Sequence, residues 1–408
     1  MPANDRIRKW LGPLGVFQFR LPELRLSRRR LARSASVEDL RRVARRRLPR
    51  GVFDYIDGGA EDETTLRANV QAYRRLTFSP RVLRDVSEVD TSSTLLGRPM
   101  PFPLVLAPTG FTRIAHPDGE LAVARAAKRA GVPYSLSTLG TRSIEEVAAV
   151  GSDRLWFQVY HWKDRDLVAE LVRRSAAAGY EALCLTVDTA VLGRRERDVR
   201  RGFTLPPKVG LSTIFDGIVH PGWSWQFLTS EPIVFANVAG MGDLDGTNAI
   251  SLAEYVGEQF DPALSWDDIG WLREHWEGPI VLKGIQSVAD ARIAADHGVE
   301  AIAISNHGGR QLDSAPAALD LVPDVAEAVG GTIEIICDGG ARRGSDIVKA
   351  LALGADAVMV GRPYLYGLGA AGEAGVDQVL TNFASEMKRT MQLIGCASVK
   401  DLGPEYLA

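Results

Sequence analysis

The stretch Ala301-Ile302-Ala303-Ile304-Ser305-Asn306-His307-Gly308-Gly309-Arg310-Gln311 decides how this chain reads. Its first four residues form a short apolar run, the pattern of a strand buried on both faces. Polar residues begin abruptly at the run's carboxyl end. There His307 can take a proton from a substrate hydroxyl, and Arg310 can grip a carboxylate through two parallel hydrogen bonds. The glycine pair lets backbone approach a flat ligand. A lone histidine in such a loop is more often a satisfied structural residue; Arg310 beside it points instead to chemistry on a 2-hydroxy carboxylate.

Working outward, the same unit recurs. Strands are expected at Leu104–Ala107, Tyr134–Ser137, Leu155–Tyr160, Ala182–Val187, Ile280–Lys283, Ala301–Ser305, Glu334–Asp338 and Ala357–Val360. Helical patterns lie between most of them, clearest at Asp118–Ala130, Asp164–Ala178, Val288–His297 and Ser345–Leu353, with stop glycines at Gly131, Gly179, Gly298 and Gly354. An unbroken β–α alternation of this length predicts an α/β fold, a (β/α)8 TIM barrel. A doubly wound sheet would want a dinucleotide fingerprint after its first strand, and Ala107-Pro108-Thr109-Gly110 is not one. In such barrels the active site lies at the strands' carboxyl ends. Thr109, Ser137, Gln158, Tyr160, Thr186, Lys283, His307, Asp338 and Arg362 all fall there.

Asp338-Gly339-Gly340-Ala341-Arg342-Arg343-Gly344 follows the seventh strand and Gly361-Arg362-Pro363 the eighth, where barrels of this type hold a phosphate. Arg342 and Arg362 would add charge-assisted contacts. Lys283 ends the fifth strand, and a buried lysine there needs an anionic partner. Before the barrel, Ser36-Val37-Glu38-Asp39 opens a helix with a capping-box pattern. Glycines then break the helix after Asp54-Tyr55-Ile56-Asp57, so that Tyr55 either aims across the barrel mouth or packs.

The chain has 408 residues, 46% hydrophobic and 24% charged, enough for one large barrel domain. Its three cysteines are no disulfide framework; Cys184 and Cys337 sit in strand-like runs as small core residues, which fits a reducing cytoplasmic setting. No metal-ligand spacing is visible. The net charge of −3 divides unevenly: residues 1–50 carry 15 Lys+Arg against 4 Asp+Glu, hence +11, leaving −14 for the rest. We read 1–35 as a basic arm and 36–408 as the barrel domain. The arm is either simply solvated or drawn to an anionic membrane surface or acidic partner. No nucleic-acid module accompanies it, no secretory h-region is present, and no run is long enough to span a bilayer. Residues 202–261 are too long for an ordinary βα connection and hold Trp223, Trp225, Phe227, Ile233, Val234 and Phe235. They make either a lid on the barrel or a surface that dips into a membrane interface.

The motifs SNHGGRQ, DGGARRG, GRP, LTVDTAVLGRRERD, FQVY and DYIDGGAEDE, in that family's order over about residues 36–405, resemble the FMN-dependent α-hydroxy acid oxidising enzymes. The resemblance implies that His307 is the base, supported and oriented by Asp188. It makes Arg310 and Arg195 the carboxylate clamps, with Tyr55 binding the carboxylate and Tyr160 the substrate's hydroxyl side. FMN would be held by Pro108, Thr109, Gly110, Ser137, Gln158, Thr186, Lys283, Ser305, Asp338, Gly339, Arg342, Gly361 and Arg362. Gly110 stands where the family's oxidases carry alanine, and Leu139 where glycolate oxidases carry an aromatic. The long loop, with Asp216-Gly217-Ile218-Val219-His220-Pro221, looks like the membrane anchor of bacterial lactate and mandelate dehydrogenases. The implied activity is oxidation of an (S)-2-hydroxy acid, L-lactate first, by a homo-oligomer that passes electrons to a quinone or cytochrome. Alternatives are a lactate 2-monooxygenase or oxygen-using oxidase, an FMN-dependent isomerase on the same barrel, and an inactive membrane scaffold.

Overall fold

The computed structural model describes residues 31–201, 210–239 and 259–408. Most of the basic arm, with Arg28-Arg29-Arg30, lies outside the described residues, as do 202–209 and 240–258 of the long connection. Helices α1 (Val37–Arg47), α2 (Arg50–Asp57) and α3 (Thr64–Arg75) lead in, followed by a hairpin of β1 (Ser93–Leu95) and β2 (Arg98–Met100). The eight parallel strands β3 (Leu104–Leu106), β4 (Tyr134–Ser137), β5 (Leu155–Tyr160), β6 (Ala182–Thr186), β7 (Ile280–Ile285), β8 (Ala301–Ile304), β9 (Glu334–Asp338) and β10 (Ala357–Val360) then close in chain order, β10 pairing with β3. The expected barrel is therefore present, with each strand within two residues of its predicted bounds.

Alternation along each strand explains why these runs are apolar throughout. Val105, Trp156, Ala182, Val281, Ala301, Ala303, Ile336, Ala357 and Met359 point inward and form one cluster, which Leu95 and Met100 of the hairpin join. Trp156 is completely buried, and the alanines give it room. Leu104, Leu106, Ile302 and Ile304 belong to the second cluster, between strands and helices. Each fully buried Leu or Ile there contributes roughly 1.5–3 kcal/mol over leaving it exposed.

Local signals set the helix ends. Ser36 caps α1, its side chain accepting from the Asp39 N–H at 3.2 Å. Asp164 accepts from the Leu167 N–H at 2.9 Å, so its replacement by alanine would cost about 1 kcal/mol. Gly131 ends α4 (Gly119–Ala130) at φ +67°, where a Cβ is disfavoured.

The long connection divides in two. Helices α8 (Leu211–Val219) and α9 (Pro221–Thr229), which follow the short α7 (Glu196–Arg201), stand on the surface. Ile214, Phe215, Ile218, Trp225 and Leu228 are exposed, Phe215 by 67% and Trp225 by 71%. Trp223 instead turns inward, its Nε1 donating to the Ile114 carbonyl at 2.8 Å. Residues 231–238 lie on the barrel mouth: Arg113 donates to the carbonyls of Glu231 and Pro232, and buried Phe235 packs on Phe111 with ring centroids 5.9 Å apart. Residues 231–238 pack as the lid expectation has it, and α8 and α9 carry an exposed apolar face. No described helix is long and apolar enough to cross a membrane.

Candidate active site

One pocket opens at the carboxyl ends of the strands. Of the residues singled out in the sequence, Tyr55, Pro108, Thr109, Gly110, Tyr160, Arg195, Lys283, His307, Arg310, Asp338, Gly339, Arg342, Gly361 and Arg362 line it. Five others sit just behind. Ser137, Gln158 and Thr186 form a chain along the strand ends: the Ser137 hydroxyl donates to Gln158 Oε1 at 2.8 Å, and Gln158 Nε2 donates to the Thr186 hydroxyl at 3.0 Å. Ser305 bridges Lys283 and Asp338, and Asp188 stands behind His307.

His307 has φ +58°, a left-handed conformation that few non-glycine residues adopt and that is typical of sites holding strain for a function. Its backbone N–H donates to the Ser305 hydroxyl at 3.0 Å. Its Nδ1 lies 3.0 Å from Asp188 Oδ1. A carboxylate there fixes the tautomer with the proton on Nδ1 and leaves Nε2 to accept one. Burial would raise the Asp188 pKa, but His307 and Lys283 outweigh it and hold the carboxyl below its ordinary value. Asp188 is therefore charged where it faces His307.

Lys283 is buried, and its partner is the protein's own Asp338, with Nζ 2.9 Å from Oδ2. Burial alone would strip its proton; Asp338 and Asp188 more than compensate and raise its pKa. A fixed cation thus sits on the pocket floor.

Two guanidinium groups flank one ring. The Cζ atoms of Arg310 and Arg195 lie 5.1 and 5.7 Å from the Tyr55 ring centroid. Tyr55, whose orientation the sequence left open, is thus at the mouth. Arg310 Nη1 donates to the Tyr55 and Gly58 carbonyls at 2.7 and 3.1 Å, and no described carboxylate pairs with Arg310. Burial first, then neighbouring Arg195 and Arg362, push the Arg310 pKa down to about 9. The group remains cationic at neutral pH with its charge unmet, so an entering anion is favoured. Tyr160 is pushed up to about 12, chiefly by burial and then by Asp188, and keeps its hydroxyl proton.

At the other end, Gly339 and Gly340 take φ of +114° and +89°, and a Cβ on Gly340 would reach 2.2 Å from the Asn69 carbonyl oxygen. Only glycine fits this turn. Arg342 has no described ion-pair partner, whereas Arg362 donates to the carbonyls of Ile56, Gly58 and Gly308 at 3.1, 2.7 and 2.8 Å. Arg362 therefore also ties the His307 loop to α2.

Several residues that hold the site were not singled out in the sequence, some of them inside its motifs. Asn69 and Asn306 exchange side-chain amide hydrogen bonds of 2.8 and 2.9 Å across 237 positions. Asp57 gathers Arg41, Arg197 and the Tyr366 hydroxyl. Phe260, which lines the pocket and packs edge-on against Tyr160, lies at the end of the long connection with no motif around it. Gln311 lies inside the quoted stretch, and its Nε2 donates to the Asp188 and Val191 carbonyls.

A barrel whose strand ends gather a carboxylate-aligned histidine, two arginines around one tyrosine and a glycine-and-arginine loop matches a flavin-type oxidoreductase site, and comparison with known proteins agrees. The model of the FMN-dependent dehydrogenase family matches residues 44–408. A Mycobacterium tuberculosis protein named "Putative L-lactate dehydrogenase" is 46% identical over 408 residues, covering 100% of this chain and 97% of that one. Spinach (Spinacia oleracea) glycolate oxidase is 43% identical, covering 91% and 95% of the two chains. The crystal structure of the monotopic membrane protein (S)-mandelate dehydrogenase superposes with a TM-score of 0.88 at 39% identity, covering 92% and 99%. The chain belongs to the FMN-dependent dehydrogenase family. Its cofactor is FMN, and its reaction is the oxidation of a 2-hydroxy acid.

The residues present fit that cofactor. The glycine turn leaves space that any Cβ would fill, Arg342 offers an unpaired cation for a phosphate, and Lys283 places a fixed positive charge at the pocket floor.

Proposed function

We propose that this enzyme oxidises L-lactate to pyruvate and passes the electrons to a quinone or cytochrome at a membrane surface. One observation carries the reading: His307, aligned by Asp188, and the unpaired Arg310 beside Arg195 and Tyr55 face one pocket. In this reading Arg310 and Arg195 take the substrate carboxylate as a charge-assisted pair, and Tyr55 closes over it. Tyr160 donates its retained proton toward the hydroxyl side. His307 accepts the substrate's proton at Nε2 while Asp188 stabilises the resulting imidazolium. Pro108, Thr109, Gly110, Ser137, Gln158, Thr186, Lys283, Ser305, Asp338, Gly339, Arg342, Gly361 and Arg362 are the residues that would hold FMN. When bound, FMN supplies the acceptor for the two electrons and hydrogen of the substrate α-carbon. Lys283 favours the added negative charge.

The relative named for L-lactate supports lactate, and Leu139, smaller than an aromatic, leaves room for a side chain larger than that of glycolate. The exposed apolar face of α8 and α9 supports peripheral membrane attachment, with quinone within reach, in line with the likeness to a monotopic dehydrogenase. Anaerobic mixing with L-lactate, glycolate and (S)-mandelate, followed by reoxidation with oxygen or a soluble quinone, tests the reading. Lactate is expected to bleach the flavin fastest, and quinone to restore it faster than oxygen. Stoichiometric acetate from lactate plus oxygen would instead identify a monooxygenase.

A further inference from the structure

We infer that the slot between α1, α2 and the α8–α9 hairpin binds the phosphate of an anionic phospholipid; this rests on the membrane attachment proposed above. The slot is lined by Arg45, Arg50, Phe53, Asp54, Val219 and His220. Of the other arginines of α1, Arg41 pairs with Asp57, Arg42 with Asp39, and Arg47 donates to the Gly369 and Ala370 carbonyls, while exposed Arg46 lies outside the slot. The side chains of Arg45 and Arg50 are exposed, and among the described residues neither makes a hydrogen bond or ion pair. Asp54, the acidic residue of the slot, already faces Arg197 at 3.7 Å. Two guanidinium forks without a described partner therefore line one slot, where a phosphate can accept from both.

Position selects a lipid over a free phosphate. Asp216 of α8 accepts the Arg50 backbone N–H at 2.5 Å, and the carbonyl of Asp216 accepts from His220 Nδ1 at 2.7 Å. The first bond moors the hairpin against α2, and the second closes the hairpin's own turn. Val219 lines the slot and is itself 53% exposed, continuous in sequence with the outward Phe215 and Ile218. A ligand with a phosphate and acyl chains can fill the slot and cover the apolar face together. The pairing gives the apolar surface a defined depth: the slot sits at headgroup level while Phe215, Ile218, Trp225 and Leu228 lie deeper.

The test is co-sedimentation of the full-length holoenzyme with phosphatidylcholine vesicles, with and without phosphatidylglycerol. Binding to both, tighter with phosphatidylglycerol, is expected. Arg45→Ala/Arg50→Ala should lose roughly 25-fold of the affinity for the anionic vesicles, about fivefold per arginine. It should keep wild-type affinity for phosphatidylcholine and wild-type turnover with a soluble acceptor. Arg42→Ala/Arg46→Ala removes equal charge from α1 outside the slot and should lose far less. Millimolar inorganic phosphate should not release the protein. Equal losses in the two double variants would mean a diffuse basic surface and overturn the slot, as would release by inorganic phosphate. Failure to bind any vesicle would overturn the membrane reading itself.

Discussion

Gly284 and Asp188 are packed so closely that the glycine has no room for a side chain: a Cβ there would lie 2.8 Å from Asp188 Cβ and 2.9 Å from its carboxyl carbon. Gly284 has φ +117° and sits at the register shift of β7, between Lys283 and Ile285. The irregularity lets Lys283 turn to Asp338 while clearing space for the aspartate that aligns His307. Gly284→Ala is therefore expected to slow lactate-driven flavin reduction by at least tenfold, approaching the roughly 10²–10⁴-fold worth of a general base. In the proposed reading the product 2-oxo acid binds through Arg310 and Arg195 and not His307, so its affinity should change much less. A wild-type reduction rate in stopped flow would show that the contact is unimportant.

His307→Gln keeps a side chain able to hydrogen bond but removes the proton acceptor. Flavin reduction should fall by about 10²–10⁴-fold with FMN content unchanged. Absorbance of the purified variant measures content, and anaerobic mixing with L-lactate measures rate.

Arg310→Lys keeps a charge but loses the planar fork, and with it the two bonds to the Tyr55 and Gly58 carbonyls. A loss of roughly 1.5–3 kcal/mol for a hydrogen bond to a charged group corresponds to about 10–150-fold in kcat/KM. Unaltered steady-state kinetics would make Arg310 a structural residue only.

A methyl on Gly110 would approach Leu139 Cβ to 3.0 Å and its carbonyl oxygen to 3.3 Å. Leu139 must then give by a few tenths of an ångström, so Gly110→Ala should alter both the room beside the cofactor and the wall of the substrate pocket. We expect the rate of reoxidation by oxygen to change more than the rate of reduction by lactate, since His307, Arg195 and Arg310 are untouched. Comparing the two half-reactions in one stopped-flow series decides it.

Acid should loosen α2 before the barrel. Burial would raise the Asp57 pKa, but hydrogen bonding and charge from Arg41 overcome it and, with help from Tyr366, hold it at about 2. Because the folded pKa lies below the ordinary value of 3.8, the stabilisation is complete above about pH 4 and is lost as pH falls towards 2. It amounts to about 2 kcal/mol. Asp57→Asn should therefore lower the thermal midpoint at neutral pH, and the two proteins should converge near pH 2. A constant difference across that range would rule out the linkage.

The sequence by itself determined the barrel and the ends of its strands. Period and burial are local: runs such as Ala301–Ile304 are apolar because both faces are covered, and Gly131 or Asp164 marks a helix end wherever the rest of the chain lies. It also placed His307 and Arg310 at one strand's end, because they are three residues apart. Tertiary structure alone decided what those residues meet. Asp188 reaches His307 across 119 positions, Asp338 of β9 meets Lys283 of β7 past the intervening β8, and Asn69 meets Asn306 across 237. It turned Trp223 inward and left Trp225 outward in one short helix, and it set Phe260 over Tyr160. Nothing in local propensity encodes these choices, since each depends on which distant backbone the closed barrel brings within hydrogen-bonding or packing distance.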